Sequence, residues 1–352
     1  MSKAAEYERA VATGGTVAVF EEEHRGLLRR LHQLLHDAPT IVPVMVLVVA
    51  IALFSAVAGA RFFHPFNLSL ILQQVTIIAI VGCAQTLVIL TAGVDLSVGA
   101  IMVLCSVVMG RLAVLDGVPI WLAFPLGLLT GAACGLLNGL LVTKIRLPPF
   151  IVTLGTWSIF GSLVLLYSHN ETIRQQAVEQ TAPFLQFLGT AVRLWGARLT
   201  YGSLAMLLLA AILWYVLQRT AYGRHVYAVG NDKEAARLAG VAVDRTLISV
   251  YTVAGLICGI AGWAVIGRIG AVSALSGSSA NLDSITATVI GGTSLFGGRG
   301  SIVGTLVGAL IVGVFRNGLA LAGADGLWQE FAIGVLIILA VTIDQWIRKV
   351  GT

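Results

Sequence analysis

The chain has 352 residues, of which 57% are hydrophobic and 11% charged, and its formal net charge is +5. A soluble domain carries about 25% charged residues, so this composition excludes a water-soluble globule. What remains is an integral membrane protein whose apolar runs, at about 20 residues each, cross the bilayer.

Lipid offers the backbone no hydrogen-bond partners, so each span must satisfy itself as a helix. Barrel strands would instead alternate over about 10 residues. The 40 glycines suit membrane helices that pack closely. The expected fold class is all-α: a polytopic membrane helical bundle of about ten transmembrane helices, both termini cytoplasmic. The basic excess fits the cytoplasmic bias of Lys and Arg and gives no reason to expect nucleic acid.

In chain order, residues 1–40 form a polar tail. Glu21, Glu22 and Glu23 precede His24 and Arg25, unlike a cleaved signal peptide. Leu27, Leu28, Leu31, Leu34 and Leu35 recur at helical spacing among Arg29, Arg30, His32 and His36. This predicts an amphipathic helix on the inner membrane face, the alternative being a solvated tail. Residues 41–347 form the transmembrane domain, with spans at 41–60, 68–92, 98–115, 119–143, 150–168, 201–218, 246–268, 284–296, 301–321 and 327–346. The eighth is short and ends in glycine, which predicts a broken or re-entrant element. The break at 169–200 reads as a loop with a short surface helix. With the N-terminus inside, 15 of the 22 Lys and Arg fall on inner segments, as the positive-inside rule requires.

Several chemistries are missing. There is no GxxxxGK[ST] loop to hold ATP, no HExxH, no GxSxG and no clustered His–Cys ligands. No cofactor or metal is expected, and no enzymatic activity. Cys83, Cys105, Cys134 and Cys258 lie within apolar runs without a CxxC pair, and read as small packing residues. Few carboxylates lie deep in the spans, which weakens an ion-driven mechanism.

Three features stand out. Between Gly93 and Gly99, Asp95 and Ser97 interrupt two apolar runs. Gly93 would end one helix and Asp95 cap the next, the other role being a hinge or gate. Within the cytoplasmic segment 219–245, Asn231 or Asp232 would cap a short helix. Glu234 lies near its positive end, Ala235, Ala236 and Ala239 favour helix, and Gly240 ends it. Such a helix suits docking into a partner's groove, the alternative being an ordinary loop. Finally, Gln73, Gln74, Thr76, Gln85 and Asn138 lie within spans, either bonding across helices or lining a path for an uncharged polar solute. They include no fixed charge. Leu295–Gly304 faintly matches Leu90–Gly99, too weakly to establish an internal repeat.

The stretch from Gln85 to Gly99 resembles the signature of sugar-type ABC importer permeases, the ribose, xylose, galactose and fructose class. Asn138–Lys144 running on to Leu147–Gly155, then Gly230–Gly240, then Gly291–Gly300 agree in the same order, so the resemblance covers roughly residues 40–347. It implies an inner-membrane subunit of a bacterial importer, paired with a second permease copy. It also implies a periplasmic sugar-binding protein and a separate ABC ATPase as partners. The resemblance assigns the coupling helix to this cytoplasmic stretch: Gly230, Asn231, Asp232, Glu234, Ala235, Ala236, Arg237 and Gly240. The acidic N-terminal extension is similar to that of fructose-type permeases. The rival readings are a branched-chain amino-acid permease, an ion-coupled stand-alone carrier, and a membrane enzyme or scaffold.

Overall fold

The computed structural model describes residues 41–350 except 195 and 278, so the helix expected within residues 27–36 lies outside the described residues. The elements in order are α1 Ile41–Ala58, α2 Pro65–Leu90, α3 Val98–Gly110 with a π-helical continuation Arg111–Leu115, α4 Ile120–Thr143 and α5 Pro149–Ser168. There follow α6 Gln175–Thr181, a 3-10 turn Pro183–Gly189, the hairpin strands β1 Ala191–Leu194 and β2 Ala197–Thr200, and α7 Tyr201–Arg219. The chain continues through α8 Ala221–Asn231, α9 Lys233–Leu238, α10 Val243–Ile269, α11 Ala280–Ile290, α12 Ile302–Leu321 and α13 Gly326–Val350.

Among the described residues, eight helices are long and apolar enough to cross a bilayer: α1, α2, α3 with its continuation, α4, α5, α7, α10 and α12. In α13, the stretch Gly326–Leu339 is a further, shorter apolar helix. The expected eighth span differs. Its helix, α11, has 11 residues, about 16 Å at 1.5 Å per residue, against a hydrocarbon core of about 30 Å. Residues 169–200 hold the expected short helix, α6, and also an antiparallel hairpin pairing Ala191 with Thr200.

Local chemistry sets the helix starts. Pro65 opens α2 and Pro149 opens α5, where a missing N–H costs nothing. Thr200 accepts from the Ser203 N–H at the start of α7, and Ser301 from the Gly304 N–H at the start of α12. At the centre, α10 packs on α2, α3 and α4. The contact with α4 is backbone on backbone: a Cβ on Gly131 would fall 2.3 Å from the Gly255 carbonyl oxygen. Polar bonds tie α2 to its neighbours. Asn67 and Asn317 exchange side-chain amide bonds at 3.0 and 2.8 Å, and the Thr86 and Thr305 hydroxyls meet at 2.6 Å. Each such bond contributes about 0.6 kcal/mol in a membrane bundle.

Candidate functional site

The polar residues singled out from the sequence separate into two places. The first is the end of the bundle that carries α8 and α9. There α2 stops at Leu90. Its C-terminus closes with the Gly93 N–H on the Val88 carbonyl at 3.2 Å, and it is Ala92, not Gly93, that adopts the left-handed conformation, φ 59°. Asp95 does not cap α3. Its Oδ1 accepts from the backbone N–H of Ser97 at 2.7 Å and from the Ser97 hydroxyl at 2.6 Å, a turn placed just ahead of the helix. Ser97 occupies the cap position without a capping bond. The orphan N–H of Gly99 is taken instead by Oδ1 of Asn281, from α11. Sequence reasoning could not find Asn281, because it lies 182 residues away.

Asn138 on α4 donates to the Ser97 hydroxyl at 2.9 Å, and the side-chain amide of Gln85 pairs with both backbone groups of Asp95, at 3.0 and 3.3 Å. Thr153 on α5 donates to the Val94 carbonyl at 3.0 Å. Gln85, Asp95, Ser97 and Asn138 thus form one buried network that holds the 91–97 connection between α2 and α3. Burial pushes the Asp95 carboxyl above its ordinary range, and the bonds from Ser97 and Asn138 oppose that shift. Two buried polar atoms in the neighbourhood, Asn138 Oδ1 and the Tyr251 hydroxyl, make no bond.

The same end holds the short helix. Asp232 caps α9 by accepting from the N–H groups of Glu234 and Ala235, at 2.8 and 3.0 Å. Gly240, at φ 85°, ends it, as the pattern of residues predicts. Ala236 is buried with Val229, Val243 and Leu247. Asn231, Asp232, Glu234, Ala235, Arg237 and Gly240 are exposed, and Glu234 pairs with Arg237 at 2.7 Å. That pair is too exposed to add much stability. Leu238, which sequence reasoning missed, is 90% exposed at the tip of α9.

Gly230, by contrast, is buried at a three-way junction. A Cβ there would fall 1.7 Å from the Leu90 carbonyl oxygen and 2.7 Å from the Gly298 nitrogen. Gly298 itself donates to the Leu90 carbonyl at 3.0 Å, and the Tyr227 hydroxyl to the Gly300 carbonyl at 2.9 Å. Burial raises the Tyr227 phenol, which keeps it a donor. The segments 85–99, 230–240 and 291–300 therefore meet in space.

The second place lies toward the opposite end. Gln73 and Thr76 line a small, partly open cavity with Thr200 and Arg268. Thr76 also bonds Ser203 of α7 at 3.0 Å, so it joins helices as well as lining the cavity. Gln74 keeps a buried, unpaired Oε1. The sequence-based set held no fixed charge; Arg268 supplies one. Nearby, Arg316 of α12 bridges Asp283 of α11 at 2.8 Å and Glu330 of α13 at 2.9 Å. Removing one member of a buried pair costs about 3–5 kcal/mol. Arg316→Met, which strands Asp283, is expected to lose about 3 kcal/mol, read as a lowered unfolding midpoint in detergent. Asp283→Asn/Arg316→Met together should recover part of that loss.

Fold and site define a polytopic helical membrane protein with a small exposed helix, α9, next to a glycine junction between its inter-helix connections. A family described as "Branched-chain amino acid transport system / permease component" matches residues 67–341, and the chain belongs to it. The chain is 58% identical over 347 residues to the fructose import permease protein FrcC of Rhizobium meliloti, covering 98% of this chain and 96% of that one. It is 38% identical over 293 residues to the ribose import permease protein RbsC of Bacillus subtilis (strain 168), covering 82% and 88%. It is 33% identical over 304 residues to the D-allose transport system permease protein AlsC of Escherichia coli (strain K12), covering 86% and 91%. No solved structure matches the chain. It is a multi-pass protein of the inner membrane.

Proposed function

We propose that this chain is the membrane-spanning subunit of an ATP-driven importer for a monosaccharide of the fructose or ribose type. The observation that carries the reading is the junction at Gly230, joined to relatives whose names specify fructose, ribose and allose import. A force applied to α9 passes through Gly230 to the end of α2 and to the 291–300 connection, because these segments touch through backbone. The α9 end faces the cytoplasm, where most Lys and Arg lie. There a separate ATPase grips the exposed residues Glu234, Arg237 and Leu238. A periplasmic binding protein delivers the sugar at the opposite end, and a second copy of the chain completes the path. Asp95, Ser97, Gln85 and Asn138 hold the hinge between α2 and α3, while Gln73 and Thr76 line the outer cavity. ATP hydrolysis belongs to the partner.

The test is the reconstituted complex with its ATPase and binding protein. Leu238→Asp, at a site 90% exposed, is expected to leave Tm nearly unchanged. Uptake should fall about tenfold or more, as for an interface anchor worth at least 1.4 kcal/mol. Glu234→Ala should uncouple hydrolysis from uptake. Normal transport by both variants would overturn the docking assignment, and uptake by the chain alone without ATP would point to a stand-alone carrier. A second reading has one observation in its favour: Arg268 in the outer cavity suits a carboxylate, as in a branched-chain amino acid. The solute that stimulates the ATPase through the binding protein decides between them.

A further inference from the structure

The hairpin of β1 and β2 rests on the first turns of α2. The Arg198 N–H donates to the Ser69 hydroxyl at 2.7 Å, and a Cβ on Gly196 would lie 3.7 Å from Pro65. Ser69 and Leu90 stand 21 residues apart in α2, about 32 Å at 1.5 Å per residue. The hairpin and the Gly230 junction therefore lie at opposite faces of the bilayer. In the register of the two strands, Arg193 is directly opposite Arg198. Directly opposed residues share one face of the sheet with their Cβ atoms about 5 Å apart, and like charges placed so repel. Both arginines are exposed.

No carboxylate offsets the pair. Residues 59–70 and 182–203, which make the hairpin and the turns beneath it, contain no Asp or Glu but a third arginine, Arg61. Among the described residues the ion pairs are those of Arg237 and Arg316, so none involves Arg193 or Arg198. Two guanidinium groups held side by side suit an anion between them, and their planar forks match the oxygens of a phosphate. The neighbouring surface indicates what carries that phosphate. Phe66, Leu68 and Leu70, on either side of Ser69, are 47%, 44% and 38% exposed, and Phe63 is 55% exposed. Along α2 these side chains run from the hairpin toward the hydrocarbon core. A soluble acidic protein reaches the arginines but not apolar side chains at membrane depth. A molecule that touches both has an anionic head and apolar tails.

We propose that Arg193 and Arg198 clamp the phosphate of an anionic phospholipid in the outer leaflet, with its acyl chains along Phe66, Leu68 and Leu70. The site is independent of what the protein transports; only the choice of leaflet rests on the orientation argued above. The probe is phosphatidylglycerol with a photoactivatable diazirine in its acyl chain, in nanodiscs that hold the full chain with its partners. Labelled peptides are mapped by mass spectrometry. The unsubstituted protein is expected to be labelled at residues 63–70, with unlabelled phosphatidylglycerol competing. In Arg193→Gln/Arg198→Gln that labelling should fall about tenfold, because charge-assisted hydrogen bonds to the phosphate are lost. Labelling at Leu207 and Leu208, exposed on α7, should stay the same. Both arginines lie on the surface, so Tm in detergent should hold. Arg193→Lys/Arg198→Lys keeps the charge and should retain more labelling than the glutamine pair; an equal loss would mean a damaged hairpin and sink the clamp. Unchanged labelling in the glutamine pair, or equal labelling by a phosphatidylcholine probe, overturns it outright. Competition by inorganic phosphate would show a site for a free anion instead of a lipid. Weakened docking of the binding protein in the glutamine pair, with lipid labelling intact, would assign the arginines to a protein partner.

Discussion

Gly230→Ala is expected to give a chain that inserts into the membrane but does not hold its native packing. The added Cβ would lie 1.7 Å from the carbonyl oxygen of Leu90 and 2.7 Å from the Gly298 nitrogen. Neither is the end of a flexible side chain. Leu90 closes α2, and Gly298 is pinned to the same carbonyl by its own N–H. Ordinary overpacking in a core costs about 1–3 kcal/mol; a clash with backbone on two sides should cost more than the upper figure. The measurement is the unfolding midpoint of the detergent-solubilised protein, with monodispersity as a second readout. Two controls separate this from a general intolerance of alanine. Gly155→Ala meets nothing within 4 Å and should be neutral or stabilising, since it sits inside α5 where glycine is a poor helix former. Gly240→Ala also meets nothing, but its φ of 85° is left-handed, so it should lose about 1–2 kcal/mol. A Gly230→Ala protein as stable as Gly155→Ala would show that the three segments do not meet as described.

The contrast between Gly230 and Gly240 also shows what a sequence reveals and what it hides. Gly240 is legible because its role is local: it follows Asp232, Glu234 and a run of alanines, and ends the turn they begin. Asp232 is legible for the same reason, and its two capping bonds reach only to Glu234 and Ala235. The long spans are legible because apolar runs and breaks are local properties too. Gly230 looks like any other glycine, since the Leu90 carbonyl that requires it is supplied by α2. The residues after Ser284 read as a span on composition alone, whereas α11 starts at Ala280 and stops at Ile290. Its shortness follows from the non-helical stretch 270–277 ahead of it, whose Ser and Gly residues read simply as a polar break. The amides and hydroxyls within spans were legible as candidates but not as two separate groups. Gln73 and Gln85 sit on the same helix, yet one lines the cavity beside Thr200 and the other holds the Asp95 backbone.

Asp95 carries the second large effect, and its sign depends on what replaces it. Asp95→Leu removes the acceptor of two bonds, leaving the Ser97 N–H unpaired and the Ser97 hydroxyl with only Asn138 as neighbour. A buried donor left unpaired costs about 1–3 kcal/mol, and the connection 91–97 loses the turn that aims α3. The expected loss is about 3 kcal/mol or more, seen as a lowered midpoint and reduced sugar uptake in the assembled complex. Asp95→Asn keeps an oxygen in the same position and removes a carboxyl whose ionised form is penalised by burial. It should retain most of the stability. If the hinge needs only the acceptor, uptake survives in Asp95→Asn as well. If uptake is lost while the midpoint holds, the charge itself serves the transport cycle, and Asp95 is more than the fastener of its loop. Gln85→Leu completes the set. It strands the N–H and carbonyl of Asp95 without touching the carboxylate, so a fall in stability similar to that of Asp95→Leu would locate the effect in the fixed path of the backbone. No fall would mean that the carboxylate alone holds the connection between α2 and α3.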